Sequence, residues 1–266
     1  MTILDRAWNV VERIRSKAPL VHSITNYVVM NNTANALLAI GASPIMAHAQ
    51  EEMQEMVDIS NSLVLNIGTL SQPWISSMLI AGKTAKAASK PVVFDPVGVG
   101  ASSFRTQACT EILQEVAPTI IRGNPSEIIA MAGADGQTKG VDSMHETQTA
   151  EEAAKYLAEH FDCVVAVSGE LDMIVSTTET VWLRGGSPLM PKVTGMGCTA
   201  TAICGACAAV ADSAFDAGVA GMVIMNSAGG MAAAKADGPG SFQMYFLDAL
   251  YSLDKEALLS HCTVEA

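Results

Sequence analysis

The segment Gly195-Met196-Gly197-Cys198 combines residue types that can bind an anion. Its two glycines allow a sharp backbone turn, and a run of small residues typical of a helix begins directly behind them. The free amide N–H groups of such a turn, together with the positive end of the helix dipole, favour a phosphate group. Cys198 would lie at the helix start, where a thiolate is favoured. The structural alternative is a glycine-rich loop that only closes before a helix.

A second polar segment contains Arg122, Asn124, Ser126 and Glu127, where a predicted strand ends and a helix begins. Asn124 or Ser126 can cap that helix, and Glu127 would then only complement its dipole. The functional interpretation places Arg122 on phosphate oxygens and Glu127 on a magnesium ion, directly or through water. Asp95 ends another strand and could be a second metal ligand, although an Asx turn before the following proline would also explain it.

Together these groups supply what phosphoryl transfer requires of a protein. The reaction needs positioned phosphates, a divalent ion, and donors where charge gathers in the transition state. The amides of residues 195–198 can be those donors, Arg122 the cation, and Asp95 with Glu127 the metal ligands. The residues therefore indicate a phosphotransferase.

These residues must be positioned by an α/β framework, because short β-branched runs alternate with longer helical patterns. Strands are predicted at 20–24, 44–47, 63–66, 92–95, 119–122 and 164–168, and helices at 26–39, 51–60, 73–89 and 103–116. A hairpin is predicted at 172–176 and 180–183, followed after Gly195 by an all-helical part at 198–211, 214–236 and 241–250. We expect a largely parallel sheet with helices on both faces, with ligands bound at its carboxyl edge. One domain over residues 1–266 is expected, with a mobile loop at 133–140.

Composition excludes several classes of protein. A net charge of −12 argues against a nucleic-acid duplex as partner, and aromatic residues at 5% leave few platforms for stacking single-stranded bases. The six cysteines lack the density of a secreted disulfide scaffold. The N-terminal residues do not resemble a signal peptide, and the most apolar stretch, 199–210, is too short to cross a bilayer. We therefore expect a soluble cytoplasmic protein with no membrane partner.

Several other motifs are interpreted as structural. The Cys204-x-x-Cys207 spacing lies in a small-residue helical pattern without a second metal-ligand pair, which favours core packing. Lone histidines such as His22 are more often structural than catalytic. Met46 has the sequence surroundings of a core methionine.

The chain resembles the hydroxyethylthiazole kinases, thiamine-salvage members of the ribokinase-like superfamily, over essentially its whole length. The segments that carry this resemblance are Pro19-Leu20-Val21-His22, Thr25-Asn26, Thr33-Ala34-Asn35, Gly41-Ala42-Ser43-Pro44, Asn66-Ile67-Gly68-Thr69-Leu70, Asp95-Pro96-Val97, Ile121-Arg122-Gly123-Asn124, Ser126-Glu127-Ile128, Gly195-Met196-Gly197-Cys198 and Gly238-Pro239-Gly240-Ser241-Phe242. So many matches in the same order are far more specific than any single glycine motif. The resemblance implies phosphorylation of the hydroxyl of 4-methyl-5-(2-hydroxyethyl)thiazole by ATP and Mg²⁺.

The resemblance also assigns ligands to individual positions. It implies that Met46 and Gly195 contact the thiazole, with Asn26, Val28 and Gly68 nearby. The positions that would bind ATP are Arg122 and Ser168, the latter in a place where Thr is also usual. It further implies a homotrimer with each active site between neighbouring subunits.

Two residues depart from the wider pattern. Cys198 stands where the superfamily has an Asp general base, although Cys is also found among the thiazole kinases. Our hypothesis is that Cys198 orients the hydroxyl and assists its deprotonation only modestly, since a loose transition state needs little base catalysis. Met196 stands where many relatives have Thr.

Three other functions remain open from the sequence. The first is a kinase for another vitamin precursor, hydroxymethylpyrimidine or pyridoxal. The second is an ATP-dependent hydro-lyase acting on hydrated nicotinamide cofactors, and the third is a thiazole sensor without turnover. A sensor has no need of Arg122, Asp95 and Glu127, whereas a phosphorylated product would exclude the hydro-lyase.

Overall fold

The computed structural model describes residues 1–134 and 146–265. The strands in these residues are β1 (Leu20–Ile24), β2 (Ser43–Ile45), β3 (Ser62–Asn66), β4 (Val92–Asp95), β5 (Ile120–Gly123), β6 (Val164–Val167), β7 (Leu171–Val175), β8 (Thr180–Gly185) and β9 (Cys262–Glu265). They form one sheet in the order β2-β1-β3-β4-β5-β6-β7-β8-β9. From β2 to β6 all neighbours are parallel, whereas β6 to β9 pair antiparallel. The predicted largely parallel sheet and the late hairpin, β7–β8, are confirmed.

Helices cover both faces of this sheet, as predicted. They are α1 (Ile3–Lys17), α2 (Met30–Ile40), α3 (Met53–Ile59), α4 (Gln72–Ala87), α5 (Ser103–Val116), α6 (Pro125–Ala134), α7 (Glu146–Phe161), α8 (Met196–Ala208), α9 (Ala214–Ala233), α10 (Pro239–Ser252) and α11 (Lys255–His261). One apolar core joins the sheet to α1, α2 and α8–α11, and a second joins it to α3–α7. Because both faces are covered, every residue of β3, β4, β5 and β6 is buried.

Helix α8 packs unusually close to the sheet because its residues are small. A Cβ atom on Gly205 would lie 2.5 Å from a methyl group of Val64 on β3. Ser62 on the same strand donates a hydrogen bond to the Gly205 carbonyl at 2.8 Å. This close approach brings the N-terminus of α8 to the carboxyl edge of the parallel strands.

Several predicted boundaries were wrong in ways that matter for the site. Helix α2 begins at Met30 rather than at Asn26, so that Asn26 and Val28 lie in the turn between β1 and α2. Strand β2 ends at Ile45, and Met46 therefore follows the strand instead of lying within it.

The predicted helical C-terminal part is confirmed by α8, α9 and α10. It is not entirely helical, because β9 joins the sheet beside β8. Helix α1 was not predicted, although Thr2 and Asp5 form a capping box at its start. The expected mobile loop at 133–140 falls, after Ala134, outside the described residues. None of the described helices is both long enough and apolar enough to cross a membrane.

Candidate active site

A buried chain of polar side chains runs along the carboxyl edge of β1, β3 and β4. Asn26 donates from Nδ2 to Oδ1 of Asn66 at 2.8 Å, and Asn66 donates from its own Nδ2 to Oδ2 of Asp95, also at 2.8 Å. Thr201 of α8 donates from Oγ1 to the same Asp95 oxygen at 2.8 Å. The Gly68 N–H donates to Oδ1 of Asn66 at 2.9 Å. The network therefore links three strand ends to α8.

The carboxyl group of Asp95 is the centre of this network. Burial raises its pKa to about 6, while the charge of Arg122 and the hydrogen bond from Thr201 act in the opposite direction. Its partners lie on other elements, so the Asx turn considered from the sequence does not explain it. Among the described residues, no hydrogen bond reaches its other oxygen, Oδ1. That oxygen keeps its capacity to accept a hydrogen bond or to bind a cation.

Arg122 at the end of β5 lies directly against the glycine turn that begins α8. The residue is only 7% exposed, and its guanidinium donates from Nη2 to Oγ of Ser168. A Cβ atom on Gly197 would lie 2.6 Å from Nη1 of Arg122. The buried Nε has no hydrogen-bond partner among the described residues. A cation with unused donors thus faces the α8 N-terminus, whose first N–H groups are not capped by any side chain in the part of the chain that the structure describes.

Gly195 gives this turn its shape. It caps α8 in the left-handed region with φ of 84°, a conformation that favours glycine. A Cβ atom there would lie 2.7 Å from a methyl group of Val29. Arg122, Ser168 and the turn residues 195–197 line one cavity of about 740 Å³. The structure therefore brings together the predicted anion-binding turn and both predicted ATP-binding residues.

Glu127 takes part in capping helix α6, which is the structural alternative to metal binding. The Asn124 side chain accepts from the Glu127 N–H at 2.9 Å, and Oε2 of Glu127 accepts from the Asn124 N–H at 2.9 Å, which is a reciprocal cap. Asn124, rather than Ser126, is thus the cap. Oε1 accepts a further hydrogen bond from the Gly98 N–H at 2.9 Å, so Glu127 also fixes the loop after β4.

The donor set is chemically suited to magnesium. Mg²⁺ is typically bound by one or two carboxylates, with phosphate and water oxygens completing the octahedron. Asp95 and Glu127 influence each other electrostatically across adjacent strand ends, and Asp95 keeps one oxygen free. The described residues contain no group of three or more His, Cys, Asp or Glu side chains that could hold a metal by themselves. A metal here would need ligands from phosphate and water.

Cys198 lies beside the polar chain, but it does not have the expected thiolate character. The Asn26 amide nitrogen Nδ2 is 3.5 Å from its sulfur. Burial raises the pKa of the thiol to about 11, and the charge of Asp95 acts in the same direction. Burial therefore favours the neutral thiol. The expectation of a thiolate was wrong.

The residues expected near the thiazole are only partly brought together. Gly68 packs so tightly against Asn26 that a Cβ atom would overlap the Asn26 carboxamide. Val28 is 64% exposed, and Met46 is half-buried just beyond β2. Neither of these two lines the cavity around Arg122.

Sequence reasoning missed two polar residues on the other wall of this cavity, Asp172 and Asn226. Asp172 accepts from the Gly169 N–H at 2.8 Å and from Nδ2 of Asn226 at 2.9 Å, and burial raises its pKa to about 6. A charged residue inside the apolar strand β7, and an Asn inside the apolar helix α9, were the available signals.

Comparison with solved structures identifies the class of fold. The pyridoxal kinase from Staphylococcus aureus superimposes with a TM-score of 0.61 at 14% identity, covering 79% of this chain and 86% of that chain. At that identity the likeness concerns the fold alone. The sheet and its flanking helices therefore define a ribokinase-like fold.

Closer relatives identify the family. The model of the hydroxyethylthiazole kinase family matches residues 11–256. The hydroxyethylthiazole kinase of Oleidesulfovibrio alaskensis is 58% identical over 253 residues, which is 94% of this chain and 95% of the relative. The structure of the hydroxyethylthiazole kinase protein from Pyrococcus horikoshii has a TM-score of 0.92 at 38% identity and covers 98% of both chains. The chain belongs to the hydroxyethylthiazole kinase family, and the resemblance seen in the sequence is confirmed.

Proposed function

We propose that this protein transfers the γ-phosphoryl group of ATP to the hydroxyl of 4-methyl-5-(2-hydroxyethyl)thiazole, with Mg²⁺ as cofactor. The observation that carries this proposal is the position of the Arg122 guanidinium against Gly197, at the N-terminus of α8. Phosphoryl transfer depends on positioning and charge stabilisation more than on covalent participation of the protein. A buried cation facing free backbone amides supplies both.

The phosphates of ATP would bind between the turn at 195–198 and the Arg122 guanidinium. The amide N–H groups of the turn would donate hydrogen bonds that stabilise the negative charge on the transferred group. The positive end of the α8 dipole would add to this stabilisation. Ser168 accepts a hydrogen bond from Arg122 and lines the same cavity, so it holds the guanidinium and reaches the nucleotide. The remainder of the cavity extends towards Asp172 and Asn226 and would take the rest of ATP.

Asp95 and Glu127 would hold the metal. Mg²⁺ bound there neutralises charge on the phosphate oxygens. Asp95 offers its free Oδ1, while Oδ2 stays fixed by Asn66 and Thr201. Because both Glu127 oxygens already accept backbone hydrogen bonds, Glu127 acts best through a water molecule.

The alcohol would enter from the side of Asn26, Gly68 and Cys198. The neutral Cys198 thiol can donate to or accept from a hydroxyl, so it orients the nucleophile instead of removing its proton as a thiolate. Asn26 is held by Asn66 and fixes the thiol from the other side. Gly195, Met46 and Val28 would complete the thiazole contacts.

The exposure of Val28 supports an active site completed by a second subunit. Val28 and its neighbour Tyr27 are 64% and 61% exposed, beside the buried Asn26. Large apolar side chains next to a binding site favour coverage by a partner. The resemblance to the hydroxyethylthiazole kinases implies a homotrimer, and we propose that the neighbouring subunit closes the thiazole side.

The test is to identify the product directly. The purified protein is incubated with ATP, Mg²⁺ and, separately, the thiazole alcohol, hydroxymethylpyrimidine and pyridoxal, and products are identified by mass spectrometry. We expect ADP and the thiazole phosphate in equal amounts, with the other alcohols turned over at least about tenfold more slowly. The Arg122→Ala variant should abolish most turnover, whereas Gly240→Ala, which alters an open position, should not.

Other results would redirect the proposal. Phosphorylation of only another alcohol would reassign the substrate and keep the class. ATP hydrolysis coupled to dehydration of a hydrated nicotinamide cofactor would indicate a hydro-lyase. Binding of the thiazole alcohol without any turnover would indicate a sensor.

A further inference from the structure

Arg105 on the first turn of α5 joins two loops that border the site. Its Nη1 donates to the carbonyl oxygens of Ile67 at 2.6 Å and Val97 at 2.7 Å, and its Nη2 donates to the carbonyl of Gly68 at 2.6 Å. Ile67 and Gly68 follow β3, whereas Val97 follows β4. A guanidinium is suited to this task because its donors are fixed in one plane. Arg105 does not line the cavity around Arg122.

On one side, these bonds fix the backbone that borders the alcohol. The Gly68 peptide is held at both ends, since its carbonyl accepts from Arg105 and its N–H donates to Asn66 at 2.9 Å. Gly68 in turn packs directly on the Asn26 carboxamide, whose nitrogen is 3.5 Å from the Cys198 sulfur. A shift of this peptide would therefore move Asn26 and with it the thiol.

On the other side, the bonds fix the loop that holds Glu127. The Gly98 N–H, one residue beyond Val97, donates to Oε1 of Glu127 at 2.9 Å. Gly98 adopts a positive φ of 69°, and a Cβ atom there would meet the Arg105 side chain at 3.6 Å. The Arg105 side chain thus fills the space beneath both loops.

We propose that Arg105 is a positioning residue. It fixes the loop after β3, on the side of the alcohol, relative to the loop after β4, on the side of Glu127. This inference rests on the proposed function, because it assigns those loops to the alcohol and the metal. Loss of the guanidinium weakens binding of the alcohol and raises the Mg²⁺ concentration needed for turnover. Metal-free nucleotide binding, which depends on Arg122 and Ser168, stays unchanged.

The informative variant is Arg105→Lys. A single ammonium keeps the charge but cannot present the same planar fork to three carbonyls in two loops. The control is Lys83→Met, which removes an exposed ion pair of 2.8 Å between Lys83 of α4 and Glu115. Glu115 lies on α5, the helix that also carries Arg105. It reduces positive charge near α5 without touching either loop.

Three quantities are measured for each variant: the KM for the thiazole alcohol, the half-saturating Mg²⁺ concentration, and the Kd for ADP in EDTA by calorimetry. For Arg105→Lys we expect the first two to rise about tenfold or more and the third to stay within about twofold. Calorimetric binding of the alcohol alone should weaken in parallel. Added guanidinium ion should partly restore an Arg105→Ala variant.

The outcomes separate the two proposals. Wild-type turnover of the thiazole alcohol tests the proposed function by itself, whereas the ratio between the wild type and Arg105→Lys tests the positioning role. If Arg105→Lys lowers only the melting temperature and leaves alcohol binding unchanged, the positioning role is wrong. Equal losses of ADP and alcohol affinity would also overturn it, since they would show general unfolding.

Discussion

Replacing Gly197 by Ala tests whether Arg122 must occupy its observed position. A Cβ atom at residue 197 would lie 2.6 Å from Nη1 of Arg122. Ordinary contact begins near 3.4 Å, so the guanidinium would have to retreat by about 0.8 Å. Arg122 is buried and bonded to Ser168, so this retreat would turn its donors away from the proposed phosphate site.

The expected loss of activity follows from the hydrogen bond that Arg122 would no longer donate to a phosphate. A hydrogen bond to a charged group contributes about 1.5–3 kcal/mol, which corresponds to a decrease of about 10-fold to 150-fold in kcat/KM. Stability should fall less than activity, because the preference for Ala over Gly, about 1 kcal/mol in a helix interior, offsets part of the cost of displacing Arg122. The variant should therefore remain folded while it loses activity.

The assay measures kcat/KM for ATP and the melting temperature of Gly197→Ala beside a matched control, Gly240→Ala. Both glycines are the second residue of a helix, but a Cβ atom at Gly240 meets nothing within 4 Å. We expect wild-type activity for the control. Wild-type kcat/KM in a folded Gly197→Ala protein would refute the assignment of Arg122 to the phosphates.

Three further predictions concern the same site. Cys198→Ala should lower kcat by less than about tenfold, because a neutral thiol only orients the alcohol. Arg122→Ala should lower kcat by more than about a hundredfold. Equal losses for the two variants in steady-state assays would contradict this prediction. Burial raises the pKa of the Asp172 carboxyl from its ordinary value of 3.8 to about 6 in the folded chain, so its protonation favours folding. This stabilisation is complete below pH 3.8 and is lost as the pH rises through about 6. The destabilisation caused by Asp172→Asn, measured by urea unfolding, should thus be larger at pH 5 than at pH 7.5, and the reverse order would be inconsistent with a raised pKa. Gly195→Ala should lower both the melting temperature and activity, unlike Gly197→Ala, because φ is 84° and the new Cβ would lie 2.7 Å from Val29; an unchanged melting temperature would show that the turn tolerates a side chain.

The sequence was sufficient to predict the parallel part of the sheet. Buried strands such as β3 and β4 are continuous β-branched or apolar runs that end at a polar residue, which marks both their position and their carboxyl ends. The short edge strand β9 has no such run, and its pairing with β8 depends on residues about 80 positions away. Local pattern could not predict it.

In the candidate site too, some contacts could be predicted from the sequence and others could not. Arg122 and the turn at Gly195 were predicted to meet because both belong to the carboxyl edge, and the structure confirms it. Thr201 reaches Asp95 across 106 positions of the chain, and one of two Thr residues in the small-residue helix α8 gives no local signal of that contact. The raised pKa of Cys198 depends on burial, which its place at a helix start does not reveal.

The subunit arrangement and the single-domain organisation stay predictions. The described residues show exposed apolar side chains at Tyr27 and Val28, which are compatible with a covered surface. Sedimentation of the purified protein would give the number of subunits directly.

The most direct test of the central claim is a crystal structure with a non-hydrolysable ATP analogue and Mg²⁺. We predict the terminal phosphate within hydrogen-bond distance of the backbone amides of residues 195–198 and of the Arg122 guanidinium, with the metal on the side of Asp95. A triphosphate bound on another surface, with Arg122 still bonded only to Ser168, would contradict the account.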